Sequence, residues 1–143
     1  MRIREAREKD LEAVESLLSA SDLPLDGVSD NIGEFLVAED DGQLRGAIGL
    51  ERYGRFALLR SAVVAPRARG SGVGSELVQQ LLERAEHQGI EELYLLTTTA
   101  EKYFPRFGFA RTTRAKVPDP VKASSEFQGA CPETAIVMTR RLP

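Results

Sequence analysis

Arg69, Gly70, Gly72 and Gly74 fall within ten residues, Pro66-Arg67-Ala68-Arg69-Gly70-Ser71-Gly72-Val73-Gly74-Ser75. An apolar run, Val63-Val64-Ala65, precedes this segment, and a stretch of helical periodicity follows it. Glycine lets the backbone come close to a ligand and take up positive φ. The start of a helix offers unpaired N–H groups and a partial positive charge. Together these features hold a phosphate or pyrophosphate. The expected chemistry is therefore binding of a phosphorylated small molecule by the N–H groups of Arg69, Gly70, Ser71, Gly72, Val73, Gly74 and Ser75. Arg67 and Arg69 add positive charge at the same place.

Spacing narrows the ligand. A P-loop ends in Gly-Lys-Ser/Thr, whereas Gly74 is followed by Ser75-Glu76. A dinucleotide fingerprint needs Gly-x-Gly-x-x-Gly or Ala, and Ser75 occupies its last position. Glu91 and Glu92 do stand about twenty residues on, as that fingerprint asks. The motif sits mid-chain, with little room for the second half of a doubly wound sheet, so a nucleotide-binding oxidoreductase is the weakest reading.

Other reactive side chains are few. Arg60 interrupts the apolar run Leu58-Leu59-Arg60-Ser61-Ala62-Val63, and a cation in such a strand needs a partner. Either it pairs with Glu51 or a neighbour, or it clamps a ligand carboxylate in bidentate fashion. Thr97, Thr98 and Thr99 end the next apolar strand, where they either line a cleft or reflect strand propensity alone. Cys131 is the one cysteine. It reads as a packed or loop residue, because a lone thiol is a poor metalloid site. His87, the one histidine, lies off the apolar stripe near a helix end, where a cation suits the dipole. No metal site is expected.

The elements that would position these residues follow from periodicity and punctuation. Arg2–Glu5 reads as a strand. Glu8–Ala20 reads as a helix, with Leu11, Val14, Leu17 and Leu18 at helical spacing. Residues 21–31 read as a polar loop with a possible short helix, a candidate substrate lid. Strands are expected over 35–38, 44–53 and 56–65, the first two joined at Asp40-Asp41-Gly42-Gln43 and the last two at Gly54-Arg55. A helix from Gly72 to about Gln88 carries Val73, Leu77, Val78, Leu81, Leu82 and Ala85 on one stripe, and Gly89 stops it. Leu93-Tyr94-Leu95-Leu96 reads as a strand buried on both faces, parallel to the strand before the helix. A short helix over 100–107, a strand over 109–112, a loop with a helical turn over 118–129 and a strand over 134–142 complete the chain. The fold class is α/β, a mixed and mostly antiparallel sheet with helices on both faces.

The 143 residues suit a single domain over 1–143, and 42% hydrophobic content is enough for a core. The net charge of −3 and pI near 5.3 argue against a nucleic-acid partner, whose electrostatic footprint is basic. No apolar run approaches the ~20 residues of a membrane span, and Met1-Arg2-Ile3-Arg4-Glu5 shows no signal-peptide stretch. A cytoplasmic protein with no membrane partner is expected.

Arg69, Gly72 and Gly74, following Val64-Ala65-Pro66, give Arg-x-x-Gly-x-Gly. This resembles the pyrophosphate loop of the GNAT superfamily of acetyl-CoA-dependent N-acetyltransferases, and the order of elements matches that family over nearly the whole chain. The resemblance implies acetyl-CoA as donor and a small-molecule amine as acceptor, acetylated by direct attack in a ternary complex. It implies a splayed parallel strand pair, with the backbone of Ala62, Val63 and Val64 pairing with pantetheine and an N–H, that of Val63, facing the developing oxyanion. It also makes a homodimer plausible. Many members read Tyr-x-x-x-Gly-Phe, with the tyrosine as general acid. Here Phe104-Pro105-Arg106-Phe107-Gly108-Phe109 departs from that pattern. Tyr103, one residue earlier and about 100° round a helix, is expected to point elsewhere, and Phe104 and Phe107 to pack beside the cofactor. Acetyl transfer needs a base for the ammonium, and Glu51 is the first candidate, with Glu101 the weaker. A catalytically silent CoA-binding sensor is the competing class.

Two details narrow the resemblance. Leu59-Arg60-Ser61, Leu96-Thr97-Thr98-Thr99 and Phe-x-x-x-Gly-Phe resemble small N-acetylglutamate-synthase-like members. The tail from Ser125-Glu126-Phe127 through Cys131-Pro132-Glu133-Thr134-Ala135 resembles compact members assigned to arsenic resistance. The first implies a carboxylate-bearing, amino-acid-like acceptor held by Arg60.

Overall fold

Alternating apolar residues that bury both faces of each strand force a layered arrangement. In Phe35-Leu36-Val37-Ala38, Phe35 and Val37 face one layer while Leu36 and Ala38 face the other. The computed structural model describes all residues, Met1–Pro143. It contains strands β1 (Arg2–Glu5), β2 (Phe35–Asp40), β3 (Gln43–Tyr53), β4 (Phe56–Val64), β5 (Glu92–Thr97), β6 (Ala110–Thr112) and β7 (Ile136–Arg141). The helices are α1 (Leu11–Ala20), α2 (Val28–Asn31), α3 (Val73–His87) and α4 (Asp119–Lys122). The seven strands form one sheet in the order β1-β2-β3-β4-β5-β7-β6. Every adjacent pair is antiparallel except β4 and β5.

Helix α3 covers one face. Its stripe of Val73, Leu77, Val78, Leu81, Leu82 and Ala85 packs on Leu36, Ile48, Leu50, Leu59, Leu93 and Leu95. Each fully buried leucine contributes roughly 1.5–3 kcal/mol. The helix ends at Gln88, where the Ile90 N–H bonds to the Ala85 carbonyl and the Gly89 N–H to the Glu86 carbonyl. This is a Schellman closure. Helices α1 and α2 cover the opposite face over Phe35, Val37, Ala47 and Val63. Further along that face, Val117 and Val121 cover Leu58, Tyr94 and Val137.

Some boundaries differ from the sequence reading. The helix expected from Glu8 begins with a 3₁₀ turn over Glu8–Asp10 and is α-helical only from Leu11. The helix expected over 100–107 is a turn followed by a 3₁₀ segment, Phe104–Phe107. Pro105 lacks the N–H that an α-helix would need there. A wide turn, Glu126–Ala130, follows α4.

Two irregularities of β4 create the site. It pairs with β5 only through Phe56, Ala57 and Leu58, opposite Glu92, Leu93 and Tyr94. Beyond those residues the two strands part. On its other edge the register with β3 slips between Ala47 and Gly49, so β4 carries an extra residue near Ser61 and Ala62. Ser61 has φ of 59°, a left-handed conformation that is sparsely populated outside glycine. An extra residue inverts the alternation of side chains. Ala57 and Leu59 therefore face α3, whereas Val63 faces α1 and α2.

Candidate active site

The glycine segment forms the turn that opens α3, and its Arg69 lines a groove. Gly72, the N-cap, has φ of 88°, and no side chain caps the helix. The first-turn N–H groups are left to a ligand. Side chains added at Gly70 or Gly72 would meet open space, so these positions need glycine for conformation and for close approach. Arg69 ties the segment to its surroundings. Its Nε donates to the Val64 carbonyl at 3.2 Å and its Nη2 to Ser21 Oγ at 3.4 Å. The Val73 side chain is buried in the core, which leaves its backbone for binding. A 15-residue helix with an uncapped N-terminus and an adjacent arginine fits a pyrophosphate.

A cavity of about 240 Å³ opens where β4 and β5 part. Ser61, Ala62, Thr97, Thr98 and Thr99 line it, with Asp22, Leu23 and Pro24 from the α1–α2 loop. Thr97 also stabilises the strand end, because its Oγ1 accepts the Ala100 N–H at 2.9 Å. A second, more open cavity is lined by Ser21, Val63, Val64 and Arg69. The two share Asp22, Leu23, Ala62 and Thr99. One path therefore leads from Arg69, beside the glycine turn, along the end of β4 to the splay. The loop over residues 21–31 contributes Asp22, Leu23 and Pro24 to the cavity wall and ends in α2.

Arg60 lies at the base of the cavity, where its guanidinium is fully buried. Nη1 donates to Glu51 Oε2 at 2.6 Å, Nε to Ser61 Oγ at 2.9 Å and Nη2 to the Pro24 carbonyl at 3.3 Å. Glu126 Oε2 lies 3.6 Å from Nε. The ion-pair alternative is thus realised. Arg60 is not a free clamp, because packing Glu51 beside it satisfies its charge first.

Glu51 does not stand where a direct base must. It is 4% exposed, bonded to Arg60 and to the Tyr53 hydroxyl, and absent from the walls of both cavities. Leu50 faces α3, so alternation turns Glu51 to the opposite face, behind Arg60. Burial, then the Glu51 contact, pushes the Tyr53 hydroxyl well above its ordinary value. Glu101 is exposed and pairs with Arg111 at 3.7 Å.

The aromatic cluster also departs from expectation. Phe104 is buried at the cavity wall, but Phe107 belongs to the α3 core and lines neither cavity. Tyr103 does reach the cavity. Its hydroxyl would lie 3.3 Å from a side chain carbon at Gly74, next to Val64. The α-helical turn assumed for its direction is absent, and the ring stacks edge-on against Phe104 and Phe107. Burial raises its pKa.

Glu126 and Cys131 were not singled out for this wall, yet both line it. Their segment has no periodicity, so no local signal could place them. Burial, and then the neighbouring charge of Glu126, pushes the Cys131 thiol up to about 12.

Residues 2–109 match the Acetyltransferase (GNAT) family. The chain belongs to that family. The amino-acid acetyltransferase of Neisseria meningitidis serogroup A is 27% identical over 120 residues, 80% of this chain and 26% of the relative. The chain thus spans about a quarter of that protein's length. The uncharacterized protein YwlB of Bacillus subtilis is 27% identical over 143 residues, 96% of this chain and 95% of the relative. N-acetylglutamate synthase of Neisseria gonorrhoeae, solved with coenzyme A and N-acetyl-glutamate, superposes with a TM-score of 0.85 at 24% identity. That match covers 99% of this chain and 35% of the synthase, and at this identity it establishes the fold alone. No helix is long and apolar enough to cross a membrane.

Proposed function

We propose that this GNAT protein acetylates the primary amine of a small, amino-acid-like molecule by direct attack in a ternary complex. The observation that carries the reading is the pair of communicating cavities. One begins at Arg69, next to the glycine turn, and the other, of about 240 Å³, ends at the splay of β4 and β5. The first suits a phosphorylated donor and the second a small acceptor. They meet at Ala62, where the backbone of Ala62, Val63 and Val64 orients the thioester. A backbone N–H there, that of Val63, stabilises the developing oxyanion. No enzyme-bound acyl intermediate is required, because donor and acceptor reach the same point from opposite sides.

The acceptor's polar part meets Thr97, Thr98, Thr99 and Ser61 hydroxyls and the edge of the Arg60 cluster. The relatives named amino-acid acetyltransferases support an acceptor with a carboxylate. Arg60 then acts through a shared network rather than as an isolated clamp. The decisive experiment measures acetyl-CoA-dependent thiol release with amino acids, including glutamate and acidic analogues, against spermidine, aminoglycosides and a lysine peptide. Turnover confined to carboxylate-bearing amines supports the proposal. Turnover on amines lacking a carboxylate removes Arg60 from substrate binding. Acetyl-CoA binding without turnover on any amine overturns the enzymatic reading in favour of a sensor.

A further inference from the structure

We propose that Glu126 is the general base that takes a proton from the acceptor's ammonium group. The proposal rests on the amine-acetylation reading above and assigns the proton acceptor that the sequence placed at Glu51.

Two carboxylates line the acceptor cavity, Asp22 and Glu126. Asp22 is exposed and shared with the second cavity, so it stands at the mouth. Glu126 is 4% exposed and forms part of the inner wall with Arg60, Thr97 and Cys131. Its backbone is fixed, since its carbonyl accepts the Cys131 N–H at 3.2 Å.

The charge balance distinguishes it from Glu51. One guanidinium faces two carboxyls. Glu51 takes the short contact at 2.6 Å and the Tyr53 hydroxyl besides. Glu126 is left 3.6 Å from Arg60 Nε, beyond hydrogen-bonding distance. A buried carboxyl with its cation 3.6 Å away, a hydrogen bond from the Cys131 thiol and a second carboxyl nearby is poised to hold or release a proton. The groups facing it are Arg60 from β4, Glu51 and Tyr53 from β3, and Cys131 from its own turn. Burial pushes the Glu126 carboxyl up to about 7, with Arg60 opposing and Glu51 adding to the rise. The Cys131 thiol, pushed to about 12, stays protonated near neutral pH and does not compete as base. A base matched to ambient pH is the most effective kind.

The proton balance is complete. The ammonium gives one proton to ionised Glu126, and the freed lone pair forms the C–N bond to the acetyl carbon. As the tetrahedral intermediate collapses, the C–S bond breaks. The remaining excess N–H proton passes to the departing thiolate, and Glu126 returns its proton to solvent. The products are the N-acetyl amine, CoA thiol and one proton.

The test compares wild type with Glu126→Gln. Wild-type turnover is established first, because its absence on every amine removes the underlying reading and this one with it. Given wild-type turnover, Glu126→Gln is expected to lower kcat/KM for the acceptor at pH 7 by at least roughly a hundredfold. Its affinity for CoA should stay within about twofold. The remaining rate should rise roughly tenfold per pH unit, following the free amine. A loss smaller than about tenfold, or a pH profile unchanged from wild type, overturns the proposal. If Glu126→Gln does not fold, wild type decides. Its rising kcat/KM limb should stay near pH 7 for two acceptors of different amine pKa, and a limb that moves with the acceptor overturns the assignment.

Discussion

The proposed donor groove and acceptor cavity are held in opposite ways. The phosphate end of the groove is one continuous segment, Pro66 through Ser75, whose free groups are backbone N–H. The cavity draws side chains from the α1–α2 loop, β4, the end of β5 and the turn after α4. A local site is set by conformational preference and survives changes elsewhere. A dispersed site depends on the packing that brings its parts together. The groove should therefore fail by losing its ligand, whereas the cavity should fail by losing its fold.

Arg60→Met gives the largest effect expected. It leaves Glu51 and Glu126 buried without their cation, and breaking such a cluster costs about 3–5 kcal/mol. A urea denaturation curve should show the loss, and a change below about 1 kcal/mol would mean that Arg60 does not organise the cavity. Gly72→Asp should cut acetyl-CoA affinity at least roughly a hundredfold by calorimetry. It sets a negative charge and a side chain where pyrophosphate and a positive φ are required. Its melting temperature should fall only a few degrees, since a side chain there meets open space. An unaltered affinity would overturn the groove.

Gly27→Ala sharpens the contrast from the α1–α2 loop. Gly27 has φ of 82°, and a carbon there would lie 2.9 Å from Arg60 Nη1 and 3.3 Å from Glu51 Oε2. We expect a loss of about 1–3 kcal/mol and a raised acceptor KM, with the acetyl-CoA KM unchanged. Equal changes in both KM values would show that the two sites are not separable. Tyr103→Phe should have the smallest effect, less than roughly tenfold in kcat. A thiolate whose conjugate acid has a pKa of about 8.5 leaves readily without an acid. A hundredfold loss with intact folding would make the Tyr103 hydroxyl the proton donor.

The glycine turn was legible because its information is local. Arg69, Gly72 and Gly74 follow an apolar strand and precede a helical stripe, and each feature constrains its neighbours in the chain. The helix stop at Gly89, the buried strand Leu93–Leu96 and its parallel pairing with β4 were legible for the same reason. Thr97, Thr98 and Thr99 were also placed correctly on the cavity wall. Glu51, Phe107 and Tyr103 were not. Their directions depend on a strand face already taken, on a core packed by α3 and on a turn that is not α-helical.

By itself the sequence determined the alternating sheet, the amphipathic helix from Gly72 and the glycine turn that opens it. Period, glycine conformation and helix polarity are short-range properties. Only the tertiary structure decided which carboxylate lines the cavity at the splay. Glu51 and Glu126 lie far apart along the chain and compete for one guanidinium. The bulge at Ser61, the turn after α4 and the packing of the α1–α2 loop fix which of them Arg60 satisfies. Those are long-range contacts, and no spacing along the chain encodes them.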